Sequence, residues 1–199
     1  MTTHQDRFNQ AIDLFDAANA QDPHLDEGRP KELLYAERMS EMIARFAPAA
    51  SEVARLAVRA QHIQRWTVPR SSQPMTKAGY HAWRSGLYAF HAETAGALMT
   101  QAGYEETMVG QVKAAIGKQG LKTNPDAQLL EDVVGLVFIE HYMLGFAAQH
   151  PDYTEQKWIG IIRKTWEKMS AAAHAFATGG GIRLPESLLP LILKAVSGS

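Results

Sequence analysis

Apolar residues along this chain recur mostly at three- and four-residue steps, a spacing that predicts helices almost from end to end. Phe8, Ile12, Leu14, Phe15 and Ala18 mark the first, which stops at Asp22-Pro23. Pro30 opens a second through Leu33, Leu34, Met39, Ile43 and Phe46, since proline is tolerated in a first helical turn. Pro48 and Ser51 begin a third, SEVARLAVRAQHIQRW, expected to run to Trp66. The next stretch, Val68 to Pro74, carries two prolines and two serines and reads as a loop. Thr76 is the expected cap of a long helix holding Trp83, Leu87, Phe90 and Leu98, ended by Gly103. A shorter helix from Glu105 to Ile116 leads to the loop GKQGLKTNP.

The run Leu129 to Phe146 departs from this amphipathic pattern. Its only polar groups are Glu131, Asp132, Glu140 and His141, so a helix there is apolar nearly all round and belongs in a core. Three carboxylates and a histidine argue against a membrane span. His150-Pro151-Asp152 breaks the pattern, and EQKWIGIIRKTWEKMSAAAHAF follows as one expected helix. Gly179 to Gly181 then separates a last short helix, PESLLPLILKAV, bent or broken at Pro190. No stretch alternates long enough to predict a strand. The fold class expected is all-α, a single helical domain over 1–199 with residues 178–199 as a glycine-linked helical appendage.

Composition narrows the chemistry. The 199 residues include no cysteine, which excludes thiolate nucleophiles, disulfides and Cys-ligated zinc or iron–sulfur sites; a metal would have to use His, Asp or Glu. The formal net charge is -1 with no run of like charges, so nothing points to a nucleic-acid or membrane-surface partner. The N-terminus, MTTHQDRFNQ, has no basic region followed by an apolar segment, which makes the cytoplasm the expected location. Oligomeric state is not legible.

Asp132 lies one turn before Leu136 and two before Ile139, on a face that is otherwise core. A buried carboxylate is costly unless a metal, a cation or hydrogen-bond donors meet it. Arg55, Arg59, His62 and Trp66 share one face of the third expected helix, and His81, Arg84, Tyr88 and His91 share one face of the fourth, with Glu93 beside them. Imidazoles from two helices and a carboxylate from a third make one polar cavity conceivable, with His62, His91 and Asp132 as its centre. The plainer readings stand beside this: a helical histidine is more often a hydrogen-bonded structural residue than a ligand, and Asp132 can simply be paired to an arginine. His4 and His24 read as solvated. His62-Ile63 with Lys168-Met169-Ser170 faintly matches the nucleotide-binding signatures of class I aminoacyl-tRNA synthetases, but those signatures need a strand-rich fold and a second Lys.

The strings RPKELLYAERMSEM, RLAVRAQHIQRWTVPR, GYHAWRSGLYAFHAE, LEDVVGLVFIEHY and IIRKTWEKMS together resemble the bacterial family catalogued as domain of unknown function 4202, over nearly the whole chain. Some members of that family carry a glutamyl-tRNA synthetase label. More distantly, the chain resembles HD-domain metal-dependent phosphohydrolases, all-α proteins that bind metal through a first His, a His-Asp doublet and a late Asp. Leu56 to Ile63 is similar to the helix ending in the doublet, His91-Ala92-Glu93 to an additional His of some members, and Leu130-Glu131-Asp132 to the late Asp. On this phasing the doublet reads Gln61-His62 and the first His falls near Tyr35 or Arg38; another phasing makes His62 the first His. The resemblance implies an HD-like fold and a hydrolase of a small phosphorylated or nucleotide-like substrate. His62, His91 and Asp132 would hold a divalent Fe, Mn, Zn or Ni ion, with Glu93 or Glu131 as general base and Arg59, Arg65, Arg84 and His81 as substrate contacts. An iron oxygenase variant belongs to the same class. The alternative is a catalytically degenerate HD-like module that binds a small anionic ligand without metal, with the loop from Trp66 to Met75 as a conceivable lid.

Overall fold

Helices dominate the computed structural model, which describes residues 4–121 and 123–196. In chain order they are α1 (His4–Asn19), α2 (Lys31–Phe46), α3 (Glu52–Ala60), α4 (Lys77–Gln101), α5 (Glu106–Ile116), α6 (Pro125–Val137), α7 (Met143–Gln149), α8 (Glu155–Trp166), α9 (Ala171–Phe176) and α10 (Leu189–Val196). The fold is all-α. Among the described residues the sole exception is a hairpin of two-residue strands, β1 (Leu25–Asp26) and β2 (Arg29–Pro30), with Leu25 opposite Pro30. Its turn places both Glu27 and Gly28 in the left-handed region, at φ 51 and 75, as a tight two-residue hairpin demands. No described helix is long and apolar enough to cross a membrane.

Local chemistry fixes several boundaries. Ser51, Thr76, Thr154 and Ser170 each accept a hydrogen bond from the main-chain N–H three residues on, satisfying a donor that the first helical turn leaves over. Two expected helices are shorter than their apolar spacing suggested. The third ends at Ala60, and Gln64 takes a left-handed conformation at φ 51, so His62 sits in a turn and Arg65 opens a short 3-10 helix, Arg65–Thr67, neither on the face of α3. The stretch after Thr154 breaks after Trp166 and restarts at Ala171 with Ser170 as cap. The apolar run Leu129–Phe146 is likewise no uniform rod: α6 gives way to a π-helical turn at Phe138–Tyr142 before α7. Within that turn Glu140 is buried against the Arg45 guanidinium.

The chain forms two compact units, one of residues 1–41 and 49–130, the other of residues 42–48 and 131–199. In the first, α3 and α4 pack on α5 and α1 around Phe15, Leu56, Ile63, Met99 and Ile116, all fully buried. In the second, α8 packs on α10, with Ile162, Ile192 and Ala195 buried. Within that unit the segment after Gly181 contributes Leu188, Ile192 and Ala195 to the buried residues.

A cation-lined candidate site

The first unit contains a cleft of about 230 Å³ lined by Asp22, His24, Lys31, Glu32, Arg65, Trp66, Val68, Pro69, Arg70 and Trp83. Short-range bonds hold its walls. The Asp22 carboxylate accepts the Glu32 main-chain N–H at 3.1 Å and the His24 N–H at 2.9 Å, which seats the first turn of α2. The Trp83 indole N–H donates to the Val68 carbonyl at 3.0 Å, tying the loop before α4 to that helix. Arg70 folds back onto the carbonyls of Gln73 and Pro74, both at 2.9 Å. The guanidinium of Arg65 lies 5.2 Å from the Trp83 ring centroid and that of Arg70 6.0 Å, within reach of cation–π attraction.

Behind this wall two imidazoles stand close, with ring centroids 5.7 Å apart in His62 and His91. A guanidinium can only donate, so the 2.7 Å bond from Arg65 Nη1 to His62 Nε2 makes that nitrogen the acceptor and leaves the hydrogen on Nδ1. Nδ1 faces the Glu32 carboxylate at 3.3 Å. Tyr35 stacks on the His62 ring at 4.2 Å and donates its hydroxyl to the Gln61 side chain at 2.7 Å. Burial holds His62 well below its ordinary pKa, reinforced by Arg65, Lys118, Lys31 and Arg84. Burial likewise lowers His91 to about 3, with His62 and Arg65 adding to the effect. His91 donates a ring N–H to the Gln61 main chain, while its buried Nε2 meets no partner among the described residues. The Glu32 carboxyl moves the other way: burial raises it from 4.5 to about 7, opposed by Arg65 and Lys31.

The residues singled out by sequence are distributed as follows. His62, His91 and Arg65 gather here. Arg59 is committed to Asp16, with bonds at 2.7 and 2.5 Å, and reaches Ser40 at 3.3 Å. Arg84 donates to Tyr88 at 2.8 Å and adds to the positive field on His62. His81 is exposed and meets the edge of Tyr80. Glu93 is 71% exposed and paired to Lys113 at 2.8 Å. Glu131 and Asp132 belong to the second unit and are buried there; Lys168 stands 3.9 Å from Glu131. The Asp132 carboxylate accepts both the main-chain N–H and the hydroxyl of Ser170, each at 2.6 Å.

The His62 Nε2 lone pair is taken by Arg65, and Asp132 is satisfied by Ser170. Only the bare Nε2 of His91 has the form of a waiting ligand, its other nitrogen held by a main-chain carbonyl as ligating histidines often are. Among the described residues no three His, Asp or Glu side chains are grouped to hold an ion. The donors as arranged do not fit a divalent metal.

What sequence reading missed is Glu32, along with Lys31, Arg70 and Asp22. Glu32 occupies the first turn of an ordinary amphipathic helix, where an acidic residue is expected for the helix dipole alone, so periodicity carried no signal.

The fold and the cleft define an all-α protein with a cation-lined, aromatic-walled pocket. Residues 9–192 match the family model described as Domain of unknown function (DUF4202), and the chain belongs to that family. No curated protein and no solved structure matches it.

Proposed function

We propose that the protein binds a small phosphorylated or nucleotide-like anion in the cleft of the first unit, without a metal ion. One observation carries this reading. Among the described residues no carboxylate comes within 4 Å of Lys31, Arg65 or Arg70, whereas Arg45 and Arg59 each have one and Arg38 has two. Cations that converge on a concave surface without paired carboxylates create a positive potential that a ligand can neutralise. Arginine suits phosphate because its planar fork donates two parallel bonds. Trp66 and Trp83 offer flat apolar walls to a planar group, and the cleft volume suits a small ligand. The metal-dependent alternative needs the His62 lone pair that Arg65 holds.

Isothermal titration with inorganic phosphate and with adenosine monophosphate tests the reading, using wild type and Arg65→Gln. Wild type binds at least one of them, and the substitution weakens binding by about tenfold or more, the worth of a hydrogen bond to a charged group. Absence of binding in wild type, or equal binding in the variant, removes the reading.

A further inference from the structure

Among three cations that invite an anion, Glu32 is out of place. A carboxylate on the wall of an anion cleft repels the ligand unless the ligand brings something for it to accept. We propose that Glu32 is the specificity-determining residue of the cleft and that the ligand is an oxyanion carrying its own O–H, a hydrogen phosphate group and not a sulfate. This rests on the anion-binding reading above and specifies its ligand.

The geometry supports it in three steps. Glu32 lines the cleft and is buried, 7% exposed. Its side chain faces one donor, His62 Nδ1 at 3.3 Å, and among the described residues no Lys or Arg nitrogen lies within 4 Å of it. An ionised carboxylate has about four lone-pair sites, so most of its accepting capacity is left for the cleft. Hydrogen phosphate fills that capacity by donating its P–O–H to the carboxylate while its other oxygens accept from Arg65 and Lys31. Sulfate has the same shape but no proton near neutral pH, and sets charge against charge beside a buried carboxylate.

The groups facing Glu32 are Asp22 on the segment before the hairpin, Lys31 beside it, Arg65 and His62 after α3, and His91 on α4. Asp22 pushes the carboxyl toward protonation; Arg65, Lys31 and His91 oppose it, and burial dominates, so it ionises at about 7. Above that point the carboxylate accepts from phosphate and rejects sulfate. Below it the neutral carboxyl donates to either, and the discrimination fades.

The experiment is a pair of titrations of the purified chain, with sodium phosphate and with sodium sulfate at matched ionic strength, at about pH 8 and about pH 6. At the higher pH phosphate binds about tenfold or more tightly than sulfate, and at the lower pH the ratio shrinks severalfold. Glu32→Gln, which keeps the shape and removes the charge, brings sulfate up to the affinity of phosphate. Should that variant fail to fold, the pH dependence of the wild-type ratio decides alone. Ribose 5-phosphate as a third ligand separates a free phosphate from a sugar phosphate whose neighbouring hydroxyl donates; either one above sulfate upholds the O–H requirement. Equal binding of all three at the higher pH overturns the role of Glu32 while leaving the cation cleft standing. Binding of none of them overturns the cleft itself.

Discussion

Acidification puts the buried trio of His62, His91 and Glu32 under a measurable load. The perturbation is a fall from pH 6.5 to about 5. Both histidines are depressed in the fold, so the unfolded chain takes up their protons below the ordinary value of 6.5 while the native state does not. Their stabilising contribution is whole above 6.5 and is lost as pH falls. Each such proton is worth about 1.4 kcal/mol per pH unit, so His91 over about 1.5 units removes about 2 kcal/mol, and His62 acts in the same direction. Glu32 acts in the opposite sense. Its carboxyl is raised from 4.5 to about 7, so the native state holds the extra proton in this window and regains about 2 kcal/mol. The two histidines thus lose stability on acidification and Glu32 opposes them. Replacing His91 by Gln removes about 2 kcal/mol of that acid sensitivity. Urea unfolding followed by circular dichroism at about pH 6.5 and about pH 5, on wild type and His91→Gln, reads the difference. Titrations elsewhere in the chain are common to both proteins and drop out. Parallel pH profiles for the two would refute the reasoning, because His91 would then titrate as a solvated imidazole.

Two further changes address the residues that proved to be engaged elsewhere. Asp132→Ala strands the Ser170 main-chain donor, so the second unit loses about 2–3 kcal/mol of stability while phosphate affinity stays as in wild type; Ser170→Ala loses less, and a double-mutant cycle by denaturant unfolding should show coupling of about 1 kcal/mol or more. Arg59→Gln breaks a two-pronged, part-buried pair with Asp16 and costs about 1–3 kcal/mol by thermal or urea unfolding, again with phosphate binding unchanged. A variant that kept its stability but lost affinity for phosphate would return Arg59 to the ligand.

The helical class was legible because helical spacing of apolar residues runs through nearly every segment. Where elements end was less legible, for a specific reason. Apolar spacing continues across the breaks at Gln61–Gln64 and at Glu167–Ser170, and only a left-handed main chain and a serine cap show that the helices have stopped. The oddity of Asp132 inside an apolar segment was readable as a need for company. Its company was not, since Ser170 lies 38 residues on at one of those invisible breaks. His62, His91 and Arg65 were marked by residue type and do assemble, although the first acts from a turn and the last from a short 3-10 helix. Glu32 was hidden because its peculiarity is its depth and its cationic neighbours, and both are products of tertiary packing.

Gln61 has no charge and no reactivity of its own, yet it governs both rings next to it. Its main-chain carbonyl claims the hydrogen of His91, and its side-chain oxygen anchors the tyrosine plate lying against His62. Gln61 thereby fixes the lone pair of His91 on Nε2, as Arg65 fixes that of His62. Of those two nitrogens, that of His62 is held by Arg65 and that of His91 stays bare among the described residues, so a neutral amide and a guanidinium between them decide which ring keeps a lone pair to offer.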